Sequence, residues 1–277
     1  MRRSTPVLLL MLLALLGLAP TAFAAADPPP DRAVRQLDVL SFNIHHAEGP
    51  DETVDLDRVA AEIRDSGADV VGMQEVDRHW SERSHLADQP AELARRLGMH
   101  VAYGANLDRE PATPGGERRQ YGTAVLSRFP IVSRQNTPLP KGGPAEEQRG
   151  LLEVVLDVHG VPVRVLNTHL QHDSAESRLL QAREVAAAVE RSAEPVVLTG
   201  DLNATPDAPE ITTLTALLTD SHEAGAGIGH TYPVEAPDRR IDYVLAERSR
   251  FLGSEVLPTA SSDHRPVLAR LLVNGKS

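Results

Sequence analysis

The stretch Val196-Val197-Leu198-Thr199-Gly200-Asp201-Leu202-Asn203-Ala204-Thr205-Pro206, VVLTGDLNATP, runs an apolar strand straight into two oxygen-bearing side chains. Strand alternation sends residues i and i+2 to one face, so Asp201 and Asn203 are expected to point together. Gly200 lets the backbone turn closely at that place. A strand that ends in ligand-type residues is half of a site, and the chain supplies a second such half. Shifted by 126 residues (166 − 40), Leu40–Val71 aligns without a gap to Leu166–Val197. Val39/Val165, Leu40/Leu166, His46/His172, Val59/Val185, Ala60/Ala186, Ala61/Ala187, Ser66/Ser192, Val70/Val196 and Val71/Val197 are identical pairs.

Each copy reads as an apolar strand, a polar loop, a helix and a second apolar strand. The first helix is expected from about Asp55 to Ser66, with Leu56, Val59, Ala60 and Ile63 on one face. The second is expected from about Ser174 to Ser192, with Leu179, Ala182, Val185, Ala186 and Val189 inward. The same shift places Asn43 on His169, Glu75 on Asp201 and Asp77 on Asn203. Both copies thus set polar, ligand-type groups where their strands run out, and two such halves face to face would pool them in one cleft.

Outside the repeat, Ile241–Leu245 reads as a strand with Asp242 near its start, and Asp263-His264 stand just before a last strand, Val267–Val273. Arg109–Gln120 and Pro138–Gln148, rich in Pro, Gly and charge, read as long surface loops.

The first 26 residues differ from the rest. Arg2-Arg3, the apolar run Val7–Ala19 and the small residues Ala22–Ala26 follow the order of an export signal, cut after Ala24 or Ala26. The run is shorter than the roughly 20 apolar residues a membrane span needs. Residues 27–35, with Pro28-Pro29-Pro30, read as a linker, and residues 36–277 as one domain. The chain of 277 residues, 41% hydrophobic and 24% charged, has no cysteine, and a domain of this size buries enough surface without a disulfide. Removing the signal takes away two Arg and no acid, leaving 26 Lys+Arg (28 − 2) against 39 Asp+Glu, net −13. That balance, with Lys141 and Lys276 as the only lysines, disfavours broad binding of a phosphate backbone. Arg118, Arg119, Arg128 and Arg134 lie near one another in sequence and leave a local basic patch open.

LSFNIHH, VVGMQEVD, YGTAVLSRFPI, VLNTHLQH, VVLTGDLNATP, RIDYVL and SSDHRPV, in that order, resemble the endonuclease/exonuclease/phosphatase superfamily, which includes DNase I-like nucleases, neutral sphingomyelinases and inositol-phosphate phosphatases. The resemblance spans about residues 36–273. It implies an α+β fold, a four-layer α/β/β/α sandwich of two mixed β-sheets with outer helices. It also implies a phosphoester hydrolase using Mg²⁺, Mn²⁺ or Ca²⁺. Carried over by position, Glu75 is the principal metal carboxylate, with Asn43 in the metal shell and Asp263 near the ion. Asp201 and Asn203 polarise the attacking water and hold the phosphate. His264 is base or phosphate contact with Asp242 orienting its ring, and His169 stabilises the transition state or protonates the leaving oxygen.

These residue types suit the chemistry on their own terms. Mg²⁺ favours oxygen ligands and keeps several waters, so one or two carboxylates plus a substrate phosphate suffice. An imidazole needs a partner to fix its tautomer. Arg149 could meet a substrate phosphate, and Tyr121 could line the cleft; a loop-end charge and a buried edge aromatic are the plainer readings. His45 and His46 stay open between tuning the metal site and stabilising a loop, and Trp80 between capping the cleft and packing beneath a loop.

The function expected is an exported, metal-dependent hydrolase of a phosphoester substrate, acting as a monomer on a phospholipid-type or small organic phosphodiester. A secreted DNase I-like nuclease is the alternative, with nucleic acid the less favoured partner because of the acidic balance. The aromatic hairpin of membrane-binding members is not evident in a chain with 3% aromatic residues. A non-catalytic binding protein on the same fold is the third reading, and the complete ligand set argues against it.

Overall fold

The computed structural model describes residues 34–225 and 229–274, so the export signal, most of the linker and Lys276 lie outside the described residues. The elements follow in the order β1 (Val34–Asn43), α1 (Leu56–Ser66), β2 (Val70–Arg78), α2 (Gln89–Leu97), β3 (His100–Arg109), β4 (Arg119–Ser127), β5 (Ile131–Pro138), β6 (Gly150–Val158), β7 (Val161–His169), α3 (Ala175–Arg191), β8 (Val196–Asp201), α4 (Pro209–Thr215), β9 (Thr219–Asp220), β10 (Asp242–Glu247), β11 (Ser249–Val256) and β12 (Val267–Asn274). They build two six-stranded sheets, β11-β12-β1-β2-β4-β3 and β5-β6-β7-β8-β10-β9.

Alternation along the strands makes the layers. Val39 and Val70 of the first sheet meet Val154, Val165 and Val244 of the second in a shared inner core. Their neighbours Leu40 and Val71 turn outward onto Val59 and Ile63 of α1 and Leu93 of α2. On the other side Leu166, Val196 and Leu198 face Val185 and Val189 of α3 and Ile211 and Leu214 of α4. This is the expected α/β/β/α sandwich.

The helices begin where their capping residues place them. Asp55 accepts from the N–H groups of Asp57 and Arg58 at 2.9 and 3.0 Å, and Ser174 from Ser177 at 3.2 Å. Gly67, at φ 72°, ends α1 in a left-handed turn.

The repeat is structural. In each half a parallel pair, β1 with β2 and β7 with β8, is flanked by antiparallel neighbours, β12 and β4 in one sheet and β6 and β10 in the other. The halves differ in detail: Val39 pairs with Val70 but Val165 with Val197, a slip of one residue, and α3 begins two turns earlier than the shift from α1 implies.

Three readings need correction. Val34 and Arg35, placed in the linker, already pair with Asn274 and Val273, because the edge left by β12 is filled as far as its end. Arg109, Arg119 and Gln120 are hairpin residues of β3 and β4, not loop, since the ladder continues through Arg109–Arg119. Gly200 lies inside β8 rather than at a turn; a Cβ there would sit 2.7 Å from the Thr168 carbonyl of the adjacent strand, so glycine serves close packing.

Below the cleft the sheets are tied by polar groups. The Asn167 amide of β7 donates to the carbonyls of Met73 and Ala124, both at 2.9 Å, and its oxygen accepts from Gln74 Nε2 at 2.7 Å and Thr199 Oγ1 at 3.1 Å. Gly72 permits this approach, since a Cβ would stand 2.0 Å from Thr199 Oγ1.

Candidate active site

The C-terminal ends of the two parallel pairs meet at one edge of the sandwich, and one amide joins them. Asn43, last residue of β1 and fully buried, donates from Nδ2 to Glu75 Oε1 at 3.0 Å and to Asp201 Oδ2 at 3.1 Å. The two half-sites anticipated from the repeat therefore share a bond. Asn43 Oδ1 accepts from the His45 N–H at 3.0 Å, so this residue positions both carboxylates by its nitrogen.

Glu75 reaches the cleft through an irregularity. The β2–β4 register shifts between Met73 and Val76, and Glu75 sits there at φ 57°. Such a bulge re-aims a side chain at the cost of about 1–3 kcal/mol of backbone strain. Although burial disfavours its charge, the Asn43 hydrogen bond and the nearby His45, His264 and Arg149 hold Glu75 below the usual carboxylate range.

Asp201 and Asn203 face the same cleft, though not by strand alternation. β8 ends at Asp201, and the chain bends back with Asn203 at φ 50°, its N–H donating to Asp201 Oδ1 at 3.0 Å and its Nδ2 to the Leu170 carbonyl at 3.1 Å. Asp201 Oδ2 also has His169 Nε2 at 3.4 Å and His264 Nε2 at 3.7 Å. Burial raises the Asp201 pKa to about 7, against the pull of His264.

The surroundings of the two histidines shift them in opposite directions. Burial works against an imidazolium at His264, yet Asp242, bonded to Nδ1 at 3.0 Å, and Asp201 outweigh it and raise the pKa to about 10. Asp242 opens β10 directly opposite Asp201. At His169 burial comes first and the charge of Arg149 second, and both push the pKa well below 6.5. Arg149 Nη1 lies 3.0 Å from His169 Nδ1, and because a guanidinium only donates, Nδ1 accepts and the ring proton stands on Nε2, toward Asp201.

Glu75, Tyr121, Arg149, His169, Asp201, Asn203, Asp263 and His264 line one cleft of about 410 Å³. Arg149 is buried, 2.8 Å from Glu147, and Tyr121 is buried with its hydroxyl pKa raised well above 10 by burial. Asp263 Oδ1 stands 3.8 Å from His45 Nδ1 on the rim. Trp80 lies beside the cleft, 5.8 Å from the Tyr121 ring, with the Arg109 guanidinium 4.5 Å over its own.

Sequence reasoning missed four contributors. Tyr232 packs 4.6 Å from the His264 ring, Glu147 and Arg239 line the cleft, and Ser262 Oγ donates to the Asn43 carbonyl at 2.7 Å, which pins the Asp263-His264 loop to β1. Tyr232 was visible as one of four tyrosines in an aromatic-poor chain. The other three carry no local signal.

A divalent cation fits at the Glu75 end. Glu75 offers a carboxylate with the Asp263 carboxylate nearby on the rim, and ring nitrogens of His45 and His46 come within 4.8 Å of it and of each other. Asp201, Asp242 and His264 form a second close group, in which Asp242 bonds His264 Nδ1 at 3.0 Å and Asp201 Oδ2 stands 3.7 Å from His264 Nε2.

Known proteins share this architecture. A structure from Beutenbergia cavernae described as an endonuclease/exonuclease/phosphatase superposes with a TM-score of 0.74 at 31% identity, over 87% of this chain and 72% of that one. A mannosyl-6-phosphatase from Bacteroides thetaiotaomicron shares the fold, with a TM-score of 0.68 at 20% identity over 85% and 99% of the two chains. The chain is 33% identical to protein cwh43 of Schizosaccharomyces pombe over 146 residues, 52% of its own length but only 14% of that protein. It is 28% identical to YbhP of Escherichia coli, over 84% of this chain and 95% of that one. The sequence profile described as Endonuclease/Exonuclease/phosphatase family matches residues 40–264, which run from the β1 strand through His264. The protein belongs to the endonuclease/exonuclease/phosphatase family.

Proposed function

We propose that the protein is an exported, divalent-metal-dependent phosphodiesterase that cleaves a compact ester of the phospholipid-type or small organic class. The carrying observation is the cationic content of the cleft. Its lining arginines are Arg149, deep and buried, and Arg239, with Glu147 and Asp263 among the same lining residues. That suits one phosphate, whereas a duplex binder needs a row of Lys and Arg to displace counterions. The arginines that cluster in sequence disperse in space. Arg118 is paired with Asp108 and Glu110 at 2.7 and 2.8 Å, and Arg119 lies at the cleft end of β4. Arg128 follows the far end of β4, roughly 25–30 Å away at about 3.3 Å per strand residue.

Each group then has a task. Arg149 binds a non-bridging phosphate oxygen, and His169 donates from Nε2 to the charge that grows on the phosphoryl group. Asp201, with a pKa near neutrality, takes a proton from the attacking water as its oxygen bonds to phosphorus. The P–O bond to the leaving group breaks, and the His264 imidazolium, held by Asp242, supplies the proton that oxygen needs. Glu75, with Asp263 near it on the rim, would hold a divalent ion that would neutralise phosphoryl charge.

The test compares bis-p-nitrophenyl phosphate, phospholipid vesicles and plasmid DNA at equal phosphate concentration and about 0.15 M salt, with and without EDTA. Compact or lipid ester hydrolysis is expected to exceed plasmid cleavage and to stop with EDTA or in Glu75→Gln. Faster plasmid cleavage, lost in that variant, establishes the nuclease reading instead. Export is checked by the N-terminus of protein recovered from the culture medium, expected at Ala25 or Asp27.

A further inference from the structure

Two imidazoles crowd the Glu75 end of the cleft in an unusual piece of backbone. After Asn43 the chain passes through three consecutive left-handed residues, His45 at φ 44°, His46 at φ 44° and Ala47 at φ 68°. None is glycine, so each is strained. In this conformation a ring nitrogen of each histidine and a carboxylate oxygen of Glu75 all lie within 4.8 Å of one another.

How the rings are held is more telling. His45 Nδ1 is 3.3 Å from the Glu48 carbonyl, and His46 Nε2 is 3.2 Å from the Glu48 carboxylate. One residue therefore anchors both imidazoles by one nitrogen each. The other nitrogen of His46, Nδ1, is buried and has no hydrogen-bond partner among the described residues, and His46 itself is 5% exposed. A buried ring nitrogen left unpaired is costly in a loop whose histidines serve packing alone. One nitrogen on a carboxylate or carbonyl and the other left free is the arrangement that metal-binding histidines show.

We infer that His45, His46 and Glu75 form a mixed nitrogen–oxygen site that selects a first-row divalent ion such as Zn²⁺, Co²⁺ or Mn²⁺ over Mg²⁺. This deepens the proposed function and rests on the reading that the Glu75 end of the cleft holds the ion. Mg²⁺ favours oxygen ligands and gains little from imidazole, whereas Zn²⁺ and Co²⁺ bind imidazole well. Two histidines and one glutamate leave open positions for water and a phosphate oxygen, the donor count of catalytic zinc sites. Asp263, beside His45, balances charge on the rim without needing to bind directly.

The experiment titrates the metal-free protein with Co²⁺, read by visible absorption, against a background of Mg²⁺. Co²⁺ is expected to bind at least about 100-fold more tightly than Mg²⁺. Glu48→Gln, which removes the carboxylate that orients the His46 ring and leaves the backbone carbonyl that holds His45, takes away no ligand and is expected to weaken Co²⁺ about tenfold and Mg²⁺ little. The double variant His45→Ala/His46→Gln should abolish the preference. Pulsed EPR of Mn²⁺ bound to the unmutated protein with isotope-labelled histidine keeps the test open should that variant fail to fold, and two imidazole nitrogen couplings are expected. Equal affinity for Co²⁺ and Mg²⁺, a Mn²⁺ signal without nitrogen coupling, or no binding of either ion overturns the site. Nitrogen coupling without hydrolysis of any phosphate ester leaves this site standing and removes the proposed function; hydrolysis with oxygen-only coordination does the reverse.

Discussion

At Asp201 three nitrogens, from Asn43, His169 and His264, converge on one carboxylate oxygen that burial brings close to neutrality in pKa. Charge placement of this kind predicts steep losses for conservative changes. Glu75→Gln keeps the Asn43 contact but removes a negative charge, and turnover should fall by at least about a hundredfold with weakened metal affinity. Full activity of that variant, or activity unaffected by EDTA, would refute the role. His264 and Asp242 act as a unit, so either single replacement should cost nearly as much as both together; strictly additive losses would show that they work apart. The sign of the shift at His264 is also testable. Its pKa, raised from 6.5 to about 10, means that the Asp242 pair stabilises the fold fully below about pH 6.5 and that this contribution disappears as pH rises through about 10. Ring NMR should place the titration midpoint near 10, and Asp242→Asn should move it down toward 6.5.

The elements matter through how closely two sheets approach. Asn167 reaches across the inner core to carbonyls of β2 and β4, and Gly72 leaves the space it needs. A methyl group at Gly72 would collide with Thr199 Oγ1, so Gly72→Ala should lose about 2 kcal/mol by overpacking and roughly 4–8 °C in Tm for a domain of this size. Unchanged thermal unfolding would show that the sheets can separate there at no cost. The bulge at Glu75 belongs to the same scale. The residue counts as part of the strand in sequence, and only pairing with β4 reveals that the ladder skips it.

Across the whole molecule, the acidic balance and the dispersal of the basic residues point to binding one phosphate at a time. Hydrolysis of a compact ester is therefore expected to change less than about threefold between about 50 and 200 mM salt, where a binder of many phosphates would lose orders of magnitude. A steep inverse salt dependence with a small ester would place extended cationic contacts in the binding step.

The residues by themselves determined two strand-helix-strand halves, and the family resemblance of the ordered motifs implied the sandwich. The evidence for the halves was local: period-2 strands, helices opened at Asp55 and Ser174, and a duplicated unit whose polar residues fall at the strand ends. Those signals depend on neighbours a few positions apart, so they survive without knowledge of the fold. The same ordered motifs also marked Asn43, Glu75, His169, Asp201, Asn203, Asp242 and His264, all of which the structure brings to one edge. Only the tertiary structure decided how they act. Asn43 and Asp201 are 158 residues apart, and their bond follows from the packing of two sheets. The tautomer of His169 depends on Arg149, which stands just before β6, and the aim of Glu75 on a mismatch with β4. Each is a contact between separate elements, set by strand register and by backbone strain that surrounding packing sustains, and neither quantity is carried by any short stretch of chain.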